Sequence, residues 1–138
     1  MSSSKQKSAR ILIVDDSAIN REMLSDMLID DYDITEAANG EEALNILKEH
    51  LYDIDLVLLD IIMPVMDGFG VLEVMKQYHW LDDTPVIMIS TETSRSFIRK
   101  AYELGITDYV RRPFDSFVIH KRVSNTLMLY RKQKKLLG

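Results

Sequence analysis

The sequence predicts an α/β domain: a parallel sheet with helices on both of its faces. Short apolar runs alternate with stretches of helical periodicity along the whole chain, the rhythm of repeated β-α units. The run 55–59 is apolar after its first residue and 85–89 is apolar throughout, as strands covered on both faces are. A third observation points to function. Ile11-Leu12-Ile13-Val14 is followed by Asp15-Asp16, Leu56-Val57-Leu58-Leu59 by Asp60, and Val86-Ile87-Met88-Ile89 by Ser90. All of these polar residues then stand at strand C-terminal ends, the edge where open α/β sheets bind ligands.

The first strand is expected over 10–14, and a helix over 18–29, where Ile19, Met23, Met27 and Leu28 keep helical spacing. Residues 30–32 turn the chain into a short second strand, 33–37, which ends at the turn signal Asn39-Gly40. The second helix covers 41–50, with Ala43, Leu44 and Leu47 inward; Glu41 and Glu42 sit in its first turn, where the helix dipole favours negative charge. The third strand is 55–59. A loop with Met63-Pro64 and Asp67-Gly68 leads to the third helix, 70–78, and then to the fourth strand, 85–89. Thr93 or Ser94 caps a fourth helix ending at Leu104, with Gly105 as its C-terminal cap. Tyr109-Val110 forms a fifth strand, Arg111-Arg112-Pro113 follows, and the last helix begins at Asp115 or Ser116. The crossovers are expected to be right-handed.

A chain of 138 residues holds one domain with a proper core, and its 46% hydrophobic and 28% charged content is that of a globular protein. With no cysteine, disulfides, thiolate metal sites and cysteine nucleophiles are excluded. His50, His79 and His120 are too scattered for zinc. The net charge of −5 argues against direct nucleic-acid binding. No apolar stretch approaches a membrane span and the N-terminus has no apolar signal core, so a cytoplasmic protein is expected. Residues 1–9 read as a flexible tail, 10–130 as the domain, and 131–138 as a basic helical extension.

Asp15, Asp16 and Asp60, brought to one sheet edge, repel one another. A divalent cation is the simplest device that keeps them ionised together. Such a site suits phosphate chemistry on an aspartate, whose carboxylate attacks an activated phosphorus. Phosphoryl transfer asks mainly for positioning and charge neutralisation.

Asp15-Asp16, Asp60, Met63-Pro64, Gly68, Ser90, and Tyr109 with Arg112-Pro113-Phe114, in this order at successive strand ends, resemble a response-regulator receiver domain. The resemblance covers 10–130. It implies a flavodoxin-like, doubly wound five-stranded sheet of order 2-1-3-4-5 with five helices. It also implies that Asp60 is the phosphoryl acceptor. Asp16 would bind Mg2+ directly, Asp15 partly through water, and Ile62 through its backbone carbonyl. Ser90 would hydrogen-bond a phosphoryl oxygen, and Tyr109 would turn inward as the switch closes. Pro113 resembles a proline that follows a cis peptide in the family, and Glu92 lies where side chains tune dephosphorylation. One position departs from the pattern: Arg112 stands where the family has lysine. Both are cations, but a planar fork is not a point charge.

The implied partners are a sensor histidine kinase or phosphotransfer protein. An output domain or a second copy would meet the chain through helix four, strand five and helix five, or through the C-terminal helix. Ile119, Val123, Leu127 and Tyr130 recur there at helical spacing, followed by Arg131, Lys132, Lys134 and Lys135. The expected catalysis is confined to the chain's own phosphorylation and dephosphorylation. The alternative is a degenerate receiver that binds a partner without phosphorylation, supported by Arg112 alone. A haloacid-dehalogenase-type phosphohydrolase would want an aspartate where Ile62 stands. A blander reading makes Asp15-Asp16 a cap for the first helix, and Ser90 a simple strand-end turn residue.

Overall fold

The computed structural model describes residues 9–92 and 94–137, with side chains as far as Arg131. Five strands, β1 (Arg10–Val14), β2 (Asp33–Ala37), β3 (Leu56–Asp60), β4 (Val86–Ser90) and β5 (Asp108–Arg111), form one parallel sheet of order β2-β1-β3-β4-β5. Between and after them run α1 (Ala18–Leu28), α2 (Gly40–His50), α3 (Gly68–Gln77), α4 (Arg95–Leu104) and α5 (Ser116–Leu137). This is the expected fold and strand order.

Strand periodicity splits the core in two. Leu12, Val14, Val57, Leu59, Val86 and Met88 pack with Ala43, Leu47, Val71, Leu72, Met75 and Ala101, on the side of α2, α3 and α4. Ile11, Ile13, Leu56, Leu58, Ile87, Ile89 and Val110 pack with Leu24, Leu28, Ile119, Val123 and Leu127, on the side of α1 and α5. Because neither face is wet, the central strands carry no polar alternation.

Several expectations shift. On α1 the apolar row is buried only in part: Leu28 is buried and Met27 packs against the core, whereas Ile19 and Met23 are exposed and Leu24, outside the row, is buried. The strands β3 and β4 reach one residue further than their apolar runs, because Asp60 pairs with Ile89 and Ser90 with Arg111 in the parallel ladder. Ala9 is not tail: it is buried, and its carbonyl accepts the Asp33 N–H at 2.9 Å, continuing the β1–β2 pairing. The rest of the expected tail, 1–8, lies outside the described residues.

Polar side chains set the helix starts. Ser17, Asn39, Asp67 and Ser94 each accept the backbone N–H three residues on, from Asn20, Glu42, Gly70 and Phe97. The first cap is Ser17, so Asp15 and Asp16 are released for other work. The cap candidate Thr93 lies outside the described residues. Gly105 closes α4 at φ 113, as expected of a left-handed cap. The last helix continues to Leu137, while the side chains of Lys132, Lys134 and Lys135 lie outside the described residues.

Candidate functional site

The C-terminal ends of β1 and β3 bring Asp15, Asp16 and Asp60 together, with ligand oxygens within 4.8 Å of one another. Asp15 is 1% exposed, Asp60 half-buried and Asp16 exposed. One wall is thus dry and the other open to incoming ligand. Oxygen donors at this spacing fit a hard divalent ion such as Mg2+.

The Asp60 carboxyl is pushed up to about 6, first by burial and then by the Asp15 charge, with Asp16 adding a little. Arg112 and the Ile62 N–H pull the other way. Three carboxylates without a cation hold a proton more readily than any one of them alone. Ile62 therefore takes part through its backbone, and its side chain, 62% exposed, is free of the pocket.

Gly68 explains how the loop after β3 closes on the site. A Cβ there would lie 2.6 Å from the Asp60 carbonyl oxygen and 2.8 Å from the Ile61 Cα, and the Gly68 N–H donates to Ile61 O at 2.7 Å. Only glycine lets α3 begin against the strand that carries Asp60.

Ser90, at the end of β4, is buried. Its hydroxyl accepts the Glu92 N–H at 3.0 Å and hydrogen-bonds the Tyr109 phenol, whose O–H donates to Glu92 O at 2.8 Å. Ser90, Glu92 and Tyr109 thus form a closed ring. Burial raises the Tyr109 phenol above its ordinary value, against the pull of the Ser90 hydrogen bond, with Glu92 adding to the rise. Tyr109 is already docked on the loop after β4.

Arg112 enters from the loop after β5. Its Nη2 donates to Asp15 Oδ2 at 2.8 Å, and its backbone N–H to Ser90 O at 2.9 Å. The Arg112–Pro113 peptide is cis, as the resemblance implied.

The sequence reading did not single out two residues that serve this edge. The Ser17 N–H donates to Asp15 Oδ1 at 2.9 Å, and Arg21 Nη1 donates to the Asp15 carbonyl at 2.7 Å while its Nε holds Glu36 at 3.1 Å. Ser17 was legible as a cap before Ala18. Arg21 carried no signal, because its role depends on α1 crossing the end of β1.

Residues 11–124 match the family model described as the response regulator receiver domain. A probable transcriptional regulator of Porphyridium aerugineum is 38% identical over 120 residues, 86% of this chain and 48% of that protein. The chemotaxis protein CheY of Bacillus subtilis is 37% identical over 120 residues, 86% of this chain and 97% of that one. The crystal structure of a CheX–CheY complex with BeF3 and Mg2+ from Borrelia burgdorferi superposes with a TM-score of 0.81 at 31% identity, covering 87% of this chain and 90% of that one. The chain therefore spans about half the length of the regulator and nearly all of the chemotaxis protein.

Proposed function

The chain belongs to the response regulator receiver domain family, whose general function is phosphoryl acceptance, and from that premise we propose that Asp60 takes a phosphoryl group from a histidine kinase or phosphotransfer protein. The observation that carries the reading is the convergence of Asp15, Asp16 and Asp60 beside Ser90 and Arg112 at one sheet edge.

Receiver domains bind Mg2+ at an acidic pocket. In this chain Asp16, Asp60 and the Ile62 carbonyl would hold the ion, with Asp15 behind them. The ion would supply positive charge to the phosphoryl oxygens. The Asp60 carboxylate, a weak nucleophile made effective by position, forms the new bond to phosphorus as the bond from phosphorus to the donor's histidine nitrogen breaks and its electron pair leaves with the imidazole. Arg112 and Ser90 take up phosphoryl oxygens. To do so Ser90 leaves the Tyr109 phenol, which keeps Glu92 O as its partner or turns further toward β4. That exchange carries a charge event at Asp60 to α4, β5 and α5, the surface that meets the next partner. The segment 131–138 would link this receiver to an output domain or pair it with a second copy.

Intact mass after incubation with acetyl phosphate and Mg2+ tests the assignment. One added phosphoryl group is expected, absent in Asp60→Asn and prevented by EDTA. No adduct, with beryllofluoride also failing to bind, would replace this reading by a phosphorylation-independent interaction module.

A further inference from the structure

A cleft of about 470 Å3 lies at the N-terminal edge of the sheet, lined among the described residues by Arg10, Thr35, Ile46, His50, Asp53 and Ile54. A charged residue stands there at what is otherwise a core position. Strand alternation puts Arg10 on the face of β1 that carries Leu12 and Val14, the face that α2 covers. The Arg10 side chain stays 33% exposed. Ile54, which is buried, and half-buried Ile46 supply the apolar part of the lining. The polar part carries both signs of charge. Arg10 Nη1 donates to Thr35 Oγ1 at 3.1 Å, one of five N–H donors on the guanidinium. Its ion pair with Asp33 is loose, at 3.9 Å from Nη2 and beyond hydrogen-bond reach. Because the Thr35 oxygen accepts from Arg10, its own O–H is left as a donor. Asp53, in the turn after α2, has a side chain 55% exposed, with His50 Nδ1 3.8 Å away. A carboxylate offers about four acceptor positions, so it serves more than one donor.

We propose that this cleft is a binding site for a free α-amino acid with an apolar side chain. The ligand's carboxylate meets Arg10 and Thr35, its ammonium meets Asp53, and its side chain covers Ile46 and Ile54. A plain anion would meet a like charge at Asp53 and a plain cation would meet one at Arg10; a zwitterion matches both. The planar fork of the guanidinium suits a carboxylate and fixes the ligand's orientation. These charges are weak in water, and a ligand that covers them strengthens each contact by displacing solvent. The volume is that of a small-molecule site, well beyond what one bound water fills. Arg10 opens β1 and Asp15 follows its far end, so the cleft and the acidic pocket stand at opposite edges of the sheet. The cleft needs no phosphoryl group at Asp60 to bind its ligand.

The test is a titration of the full chain with leucine, read by NMR on backbone amides and isoleucine methyl groups. Saturable shifts are expected at Thr35, Ile46, Asp53 and Ile54, with a Kd of about 1 mM. Two analogues divide the ligand: 4-methylpentanoate lacks the ammonium and leucinamide lacks the carboxylate. Each is expected to bind about tenfold more weakly than leucine, the worth of one charge-assisted contact. Arg10→Met is expected to bring leucine down to the leucinamide level, and Arg10→Lys to restore part of the difference. Ile46→Trp fills the cleft and is expected to abolish the shifts there, while signals elsewhere keep their native positions. Shifts that never saturate overturn the proposal, as does equal affinity for the three ligands. Leucine binding unchanged by both Arg10→Met and Ile46→Trp would put the ligand elsewhere on the molecule and overturn it as well.

Discussion

At the C-terminal end of the sheet Asp15 is 1% exposed and held by Arg112, Ser17 and the Ala37 carbonyl of β2. At the N-terminal end Asp53 and Asp82 have side chains 55% and 71% exposed, each 3.8 Å from a histidine of its own segment, His50 or His79. Both ends are acidic, but among the described residues only one gathers three carboxylates within reach of one ion. The other keeps Asp53 and Asp82 on short 3-10 turns in water and pairs Asp33 and Asp108, at strand starts, with Arg10 and Arg122. The difference lies in what surrounds the carboxylates, since the residue types are the same. Strand ends and the loop after β5 bring carboxylates and a guanidinium into one half-buried pocket. In water the same charges are screened and do little.

Substitutions at the two ends are expected to break this contrast to different degrees. The largest effect is at Asp60: Asp60→Asn abolishes the phosphoryl adduct in intact-mass measurements. Gly68→Ala comes next, because its Cβ must push the backbone of Asp60 and Ile61 aside. A loss of about 3 kcal/mol is expected in denaturant unfolding, with weaker Mg2+ binding. Arg112→Ala leaves the buried Asp15 without its counter-charge and is expected to lower stability by about 2 kcal/mol in metal-free buffer. Added Mg2+ restores most of that loss.

Smaller is the pH effect of Asp60. Its folded pKa of about 6 lies above its ordinary value of 3.8, so the folded chain binds the extra proton. The stabilisation from that proton is complete below about pH 4 and is lost as pH rises through 6. Metal-free unfolding curves are therefore expected to show Asp60→Asn more stable than the native chain at pH 7, with the gap closing toward pH 4. A gap that persists at pH 4 would assign it to packing instead. The smallest effect belongs to the other end: Asp82→Asn is expected to change stability by less than about 0.5 kcal/mol, and phosphorylation not at all. A larger change would mean that the N-terminal edge is coupled to the site.

Element type and order were legible because the cues are local. Buried parallel strands need unbroken apolar runs, and cap residues announce helix starts. Boundaries failed where a long-range contact decides them. Helix α3 begins at Gly68, two residues before the expected start, because glycine is there to approach β3, not to favour a helix. On α1 the apolar pattern marks the buried face only at Met27 and Leu28, because the chain leaves apolar Ile19 and Met23 outside. The polar residues of the site were legible as strand-end residues, while Arg21 and Ser17 were not tied to Asp15 until α1 had a position.

The sequence alone determined the sheet, its helices and the acidic strand ends, because hydrophobic period and capping act over a few residues. It also contained the arginine in place of lysine, but not that side chain's partner. Tertiary structure decided that Arg112 holds Asp15, that Ser90, Glu92 and Tyr109 close a ring, and that Asp60 binds its proton up to about pH 6. Each of these depends on distances between segments far apart in the chain, and Coulomb and hydrogen-bond energies change steeply over those last few ångströms.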